Sequence, residues 1–324
     1  MISSQTDTLI ASCSVQASQL IPADIFGVNP IVAMPFADNG AVDIESFKQL
    51  VKHLIQTGCH GLTLFGIASE FYKLNQDEKR TLARWFQALT SKSQVFSCVS
   101  ITEHATELAV QQAREYQQQG FDSLMLLPPF FLNPSNDHII YHIQSVLSAV
   151  DIPVLIQYAP TETGIPITPQ DMKAITDNHP NAVFKIECNP PVEYAQQLLT
   201  LLPDAVIMNG YAGLYMLDML EVGGKGVMPG CSFTEIYNAI YQLWQDGKKQ
   251  QAQALHTLLF RYISKWMTHC EYIIAVEKEI LVRRGIIATN YCRKPDYPLS
   301  ELDHQDIDAF LNEFAFILEQ YDEG

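Results

Sequence analysis

Eight short runs of apolar and β-branched residues recur along the chain, at 27–33, 61–65, 94–100, 123–127, 153–158, 182–187, 205–208 and 226–228. Each is followed by a longer stretch whose apolar positions return every three or four residues, near 43–57, 75–90, 104–119, 136–149, 168–178, 191–202, 211–221 and 232–246. Asp43, Asn75 and Thr168-Pro169 stand where helix N-caps and a first-turn proline belong. Strict alternation of strand and helix implies parallel strands joined by right-handed crossovers, and eight such units over residues 27–246 fit a closed (β/α)₈ barrel. An open doubly wound sheet fits less well, because no G-x-G-x-x-G follows the first strand. Residues 247–324 carry no strand signal and read as three further helices near 248–270, 272–285 and 303–321, a helical extension on the barrel; residues 1–26 form an N-terminal segment.

Composition narrows the class. Of 324 residues, 48% are hydrophobic and 17% charged, which suits a large buried core and not a disordered chain. The net charge is 20 − 36 = −16, and phosphate contacts need clustered cations, so nucleic acid is not an expected partner. No apolar stretch reaches the roughly 20 residues of a membrane span, so a soluble protein is expected. The first 26 residues hold no Lys or Arg, which argues against a signal peptide. Ile10-Ala11-Ser12-Cys13 is similar to a lipoprotein cleavage box but lacks the basic start and apolar run that such a box follows. Seven widely spaced cysteines without a C-x-x-C pair read as reduced thiols of a cytoplasmic protein. Residues 301–324 hold eight carboxylates and no Lys or Arg, so half of the net charge lies on one terminal segment, read as a solvated helix face.

The sixth strand reads Ala182-Val183-Phe184-Lys185-Ile186-Glu187-Cys188. A barrel strand is covered on both faces, and an ammonium there costs several kcal/mol unless paired or neutral. Lys185 is therefore either a structural ion pair with Glu187 or a desolvated amine able to attack a carbonyl and form a Schiff base. The two-residue period places Glu187 on the same face, about 6.6 Å further along the strand, loose for an ion pair and suited to an acid/base group serving a substrate bonded to Lys185.

With this lysine, Gly66-Ile67-Ala68-Ser69-Glu70, Leu127-Pro128-Pro129-Phe130-Phe131 and Tyr158-Ala159-Pro160 resemble motifs of the dihydrodipicolinate synthase and N-acetylneuraminate lyase superfamily, over residues from about Phe26 to Arg284. The resemblance implies a class I Schiff-base lyase acting on a 2-oxo acid, a homo-oligomer (tetramer or dimer), with no metal or organic cofactor and Lys185 as the Schiff-base lysine. The branch it looks most like, through I-Q-x-A-P and F-K-I-E, is the 2-keto-3-deoxy sugar-acid dehydratases typified by L-2-keto-3-deoxyarabonate dehydratase.

Several positions depart from the family pattern. Ile67 and Ala68 stand where the glycine-rich turn usually has hydroxyls, Phe130 and Phe131 replace a tyrosine pair, Glu162 replaces the synthases' aldehyde-binding arginine, and Ala212-Gly213 replace the lyase's Asp-Glu pair. Lysine biosynthesis and sialic acid cleavage are therefore both disfavoured. Gln157 falls in the place of the family's strand-five tyrosine, and Tyr158 reaches the site only if a bulge or strand end re-aims it. The expected catalytic residues are Lys185, Glu187 and Tyr158, and the expected substrate contacts are Ala68, Ser69, Gln157, Gly210 and Met228.

Two further readings stay open. Ile67, Phe71, Tyr72, Phe130, Phe131, Tyr158 and Tyr211 would make an aromatic wall at the mouth, suited to a pyruvate-dependent aldolase or hydratase-aldolase for an apolar or aromatic aldehyde. The missing relay hydroxyls also fit a barrel that binds a 2-oxo acid without turnover.

Overall fold

In the computed structural model, residues 20–321 are described. The Ile10–Cys13 stretch, most of the N-terminal segment, and Asp322 and Glu323 of the acidic tail lie outside them. The eight expected strands are all present: β1 (Gly27–Val28), β2 (Gly61–Leu64), β3 (Phe96–Ile101), β4 (Ser123–Leu126), β5 (Val154–Tyr158), β6 (Ala182–Ile186), β7 (Ile207–Asn209) and β8 (Gly226–Val227). They are parallel and ordered β1-β8-β7-β6-β5-β4-β3-β2. A parallel bridge, Ile31↔Thr63, with the Val32 amide donating to the Thr63 carbonyl, joins the first strand region to β2 and completes the ring.

The helices are α1 (Ile44–Gln56), α2 (Gln76–Thr90), α3 (Thr106–Gln118), α4 (Asn136–Leu147), α5 (Pro160–Thr163), α6 (Pro169–Thr176), α7 (Pro191–Leu201), α8 (Met216–Glu221), α9 (Thr234–Gln245), α10 (Lys249–Trp266), α11 (Cys270–Arg283) and α12 (Glu301–Leu318). Asp43, Asn75 and Thr168 each cap their helix with a side-chain oxygen, satisfying amides that have no intrahelical partner. The short α5 is an addition to the expected set. α8 starts at Met216, not near 211, because Tyr211 and Ala212 adopt left-handed backbone angles in a 3₁₀ turn, Tyr211–Gly213.

Strand parity sorts the core. Leu62, Leu64, Val99, Ile101, Leu124, Leu126, Val154, Ile156, Phe184 and Ile186 pack outward against the helices. Cys98, Met125, Leu155, Val183, Met208 and Met228 fill the barrel interior. A further core joins the barrel's β1/β8 side and α9 to α10, α11 and α12 through Phe233, Tyr237, Trp266, Phe310 and Phe314. In α11 every residue from Tyr272 to Leu281 is buried, so this helix is enclosed on all sides. Among the described residues no helix is long and apolar enough to cross a membrane. Their cysteines are all unbridged.

Candidate active site

Lys185 is on the inward parity of β6, with Val183 below it in the interior cluster and Gln157 of β5 directly beside it in register. It is 3% exposed, and its Nζ lies 3.0 Å from Oε1 of Glu187. The sequence expectation of a loose pair is corrected here: Glu187 follows the last β6 residue, and a lysine of four methylenes bends up to meet it. Glu187 is held from three directions. Its amide donates to the Tyr158 carbonyl, its Oε2 accepts from the Gln157 side-chain amide at 2.6 Å, and its Oε1 faces the Tyr211 amide at 3.3 Å.

Gly210 explains the fit. A Cβ on this residue would fall 2.1 Å from Cγ of Glu187, so only glycine leaves room for the carboxylate at that place. Gly210 and Gln157 thus act on Glu187, where the sequence reading had them touching substrate; neither is among the residues lining the cavity.

That cavity, about 60 Å³, is lined by Lys185, Glu187, Ala68, Ile67, Glu162, Tyr211, Met228 and Ile31 from the barrel mouth. Its roof comes from the end of α10 and one face of α11: Met267, Cys270, Ile273, Ile274 and Glu277. Ala68 and Met228 are among its lining residues. Ser69 is not: it is fully buried, its hydroxyl donates to the Val32 carbonyl at 2.6 Å and its amide to the Gly66 carbonyl. The amides of Ile67 and Ala68, without partners among the described residues, are the donors this turn leaves open.

Tyr158 is not brought to Lys185. Strand parity turns it outward with Ile186, it stacks on Tyr194 with ring centroids 4.6 Å apart, and its hydroxyl accepts from the Ile167 amide. No bulge re-aims it, and burial raises its pKa. The aromatic wall does not assemble either. Of its seven members only Ile67 and Tyr211 line the cavity, while Phe131 is 72% exposed and Tyr72 turns its hydroxyl to Glu271.

Sequence reasoning missed two carboxyls. Glu162 of α5 lines the cavity, and burial, then the nearby Glu187 charge, push its pKa up to about 7. From sequence it stands out only as a departure from the family's arginine. Glu277 is buried, accepts from the Cys231 and Ser232 amides, and is pushed up to about 8 by burial. A Cβ on Gly230 would fall 1.6 Å from its Oε1, so glycine is what admits it. Cys270, Ile273, Ile274 and Glu277 are spaced i, i+3, i+4, i+7, one helix face, which is the signal that could have found them.

Glu70, the last residue of the turn after β2, points away from the cavity. It is buried and left-handed, and pairs with Lys73 at 3.0 Å and with fully buried Lys278 of α11. The Lys278 ammonium also donates to the Tyr291 carbonyl and lies over the Phe36 ring. This buried set ties the amide-bearing turn to the helix that roofs the site.

A lysine inside a barrel, a carboxylate within reach of its amine, and an amide turn beside them form a site for condensing an amine with the carbonyl of a small acid. Known proteins resemble the chain over most of its length. The L-2-keto-3-deoxyarabonate dehydratase of Azospirillum brasilense is 26% identical over 291 residues, 88% of this chain and 92% of that one. The 4-hydroxy-tetrahydrodipicolinate synthase of Methanococcus aeolicus is 25% identical over 238 residues, 72% and 81% of the two chains. Among solved structures, dihydrodipicolinate synthase from Rhodopseudomonas palustris superposes with a TM-score of 0.83 at 24% identity, covering 91% of this chain and 99% of that one. The Escherichia coli prophage protein YagE, solved with pyruvate, gives 0.81 at 22% identity, covering 90% and 99%. The model of the dihydrodipicolinate synthetase family matches residues 24–314, and the chain belongs to that family, as a class I lyase.

Proposed function

We propose that the protein dehydrates a 2-keto-3-deoxy sugar acid through a Schiff base on Lys185. The observation that carries this reading is the Glu187 carboxylate fixed 3.0 Å from the Lys185 amine. Glu187 takes the ammonium proton as the amine attacks the C2 carbonyl and returns it to the carbinolamine oxygen, which departs as water. The same carboxylate then removes a proton from C3, and the lysine iminium accepts the electrons. Ile67 and Ala68 amides hold the substrate carboxylate.

The small cavity and the unassembled aromatic wall favour a short hydroxylated acid over an aryl aldehyde. Replacement of the aldehyde-binding arginine by Glu162 favours a substrate tail without negative charge. The homo-oligomer, tetramer or dimer, remains part of this proposal, supported by Phe131 and Leu132, 72% and 87% exposed on the loop after β4. The test is incubation with pyruvate and borohydride, followed by peptide mass spectrometry and a panel of 2-keto-3-deoxy acids. An adduct at Lys185 and loss of water from a panel member are expected. No adduct sinks the Schiff base, and release of pyruvate in place of water shows an aldolase.

A further inference from the structure

We infer that Glu162 is the general acid of the reaction, giving its proton to the C4 hydroxyl of the substrate as that group leaves. This rests on the dehydratase reading above. An elimination needs a proton donor as well as a base, because hydroxide is a poor leaving group. Among the described residues, the cavity wall offers three candidates besides Glu187 and the Cys270 thiol, which burial pushes up to about 11. Tyr211 donates its hydroxyl to Thr161 at 2.6 Å, and burial pushes it up to about 12, so it is a weak acid already committed elsewhere. Glu277 has its carboxyl held by the Cys231 and Ser232 amides.

Glu162 differs from both. Its Oε2 is buried and has no hydrogen-bond partner among the described residues, an arrangement that costs free energy unless the atom serves a ligand. It lines the same cavity as Lys185 and Glu187 and feels both charges. The groups facing it are Glu187 and Lys185 from β6 and its end, Tyr211 from the turn after β7, and Cys270 from α11. With its pKa near 7, about half of the molecules present the protonated acid at neutral pH. α5 places it there: Pro160 opens this single turn directly after β5, and left-handed Gly164 ends it.

The steps balance. The Lys185 amine and the C2 carbonyl condense, releasing water and leaving an iminium. Glu187 removes a C3 proton, and the electron pair becomes the enamine. That pair then expels the C4 oxygen, which takes the Glu162 proton and departs as water. Hydrolysis of the conjugated iminium restores the lysine, and solvent returns a proton to Glu162 and takes one from Glu187.

The test uses the full chain and Glu162→Gln. The variant should keep the borohydride-trapped pyruvate adduct at Lys185 and should still exchange the pyruvate methyl protons in deuterium oxide. Dehydration should fall about 10²- to 10⁴-fold. A substrate analogue carrying fluoride at C4 needs no proton to leave, so its elimination should proceed at similar rates in wild type and variant. In the wild type, kcat/KM should decline as pH rises through about 7, and that limb should vanish in the variant. Unimpaired dehydration by Glu162→Gln, or equal losses on hydroxyl and fluoride substrates, would overturn the assignment alone. Pyruvate release by the wild type would overturn the dehydratase reading, and this assignment with it.

Discussion

At Lys185 the sequence left two readings, an ion pair or a nucleophile, and the 3.0 Å contact with Glu187 is a geometry compatible with both. A buried pair contributes little net stability by itself, since desolvation consumes most of the attraction. Glu187→Gln leaves the buried Lys185 amine without its carboxylate and so should cost stability, on the order of 3 kcal/mol, but the folded variant should keep the trapped adduct and slow turnover by about 10²- to 10⁴-fold, read by parallel trapping and rate assays. Gly210→Ala gives an independent check. Its methyl would fall on Glu187, so it should reproduce the slow turnover with the adduct intact; wild-type rates would show that the carboxylate position is not critical. Lys185 and Glu187 were legible because charge in an apolar strand stands out. Gln157 and Tyr158 were separable only as alternatives, since strand parity alone decides between them and the strand end can alter it. Glu162 was visible as a departure from the family pattern, yet its burial and open oxygen are properties of the folded mouth, not of the sequence.

At the level of elements, capping was readable and its energetics follow directly. Asn75 accepts from the Glu78 amide while Glu78 accepts from the Asn75 amide, so Asn75→Ala should cost about 1 kcal/mol by chemical denaturation. The β runs and the helical stretches other than the single turn α5 were all found, because alternation of the two periods is a local property. The start of α8 was not, since left-handed Tyr211 and Ala212 are imposed by the surroundings of Glu187 and Tyr237: the Tyr211 amide faces Glu187, and the Tyr237 hydroxyl donates to the Ala212 carbonyl. Nor could the sequence reveal that Glu70 and Lys278, 208 positions apart, meet in the core. Lys278→Met leaves Glu70 with Lys73 alone and should destabilise by on the order of 3 kcal/mol, while the double variant Glu70→Gln/Lys278→Met should recover part of that loss. A double-mutant cycle by denaturation measures the coupling.

For the molecule as a whole, the buried carboxyl of Glu277 makes stability depend on pH. Glu277 titrates near 8 in the folded protein and near 4.5 when unfolded, so the folded state holds a proton that the unfolded chain has lost over that window. Its contribution to stability is complete below about pH 4.5, declines as pH rises and levels off beyond about 8. Glu277→Gln carries no such titration, so the melting temperature of the variant relative to wild type should rise between pH 5 and pH 8. A constant difference would show that Glu277 titrates alike in both states.

The roof over Lys185 has a consequence in time. Met267, Cys270, Ile273, Ile274 and Glu277 emerge from the ribosome after every barrel strand, the last of which ends at Val227. A nascent chain can therefore complete its ring of strands while the amine-bearing pocket still stands open to water. Enclosure arrives late in synthesis, and a product stopped before α11 would carry the Lys185 amine without the residues that roof it.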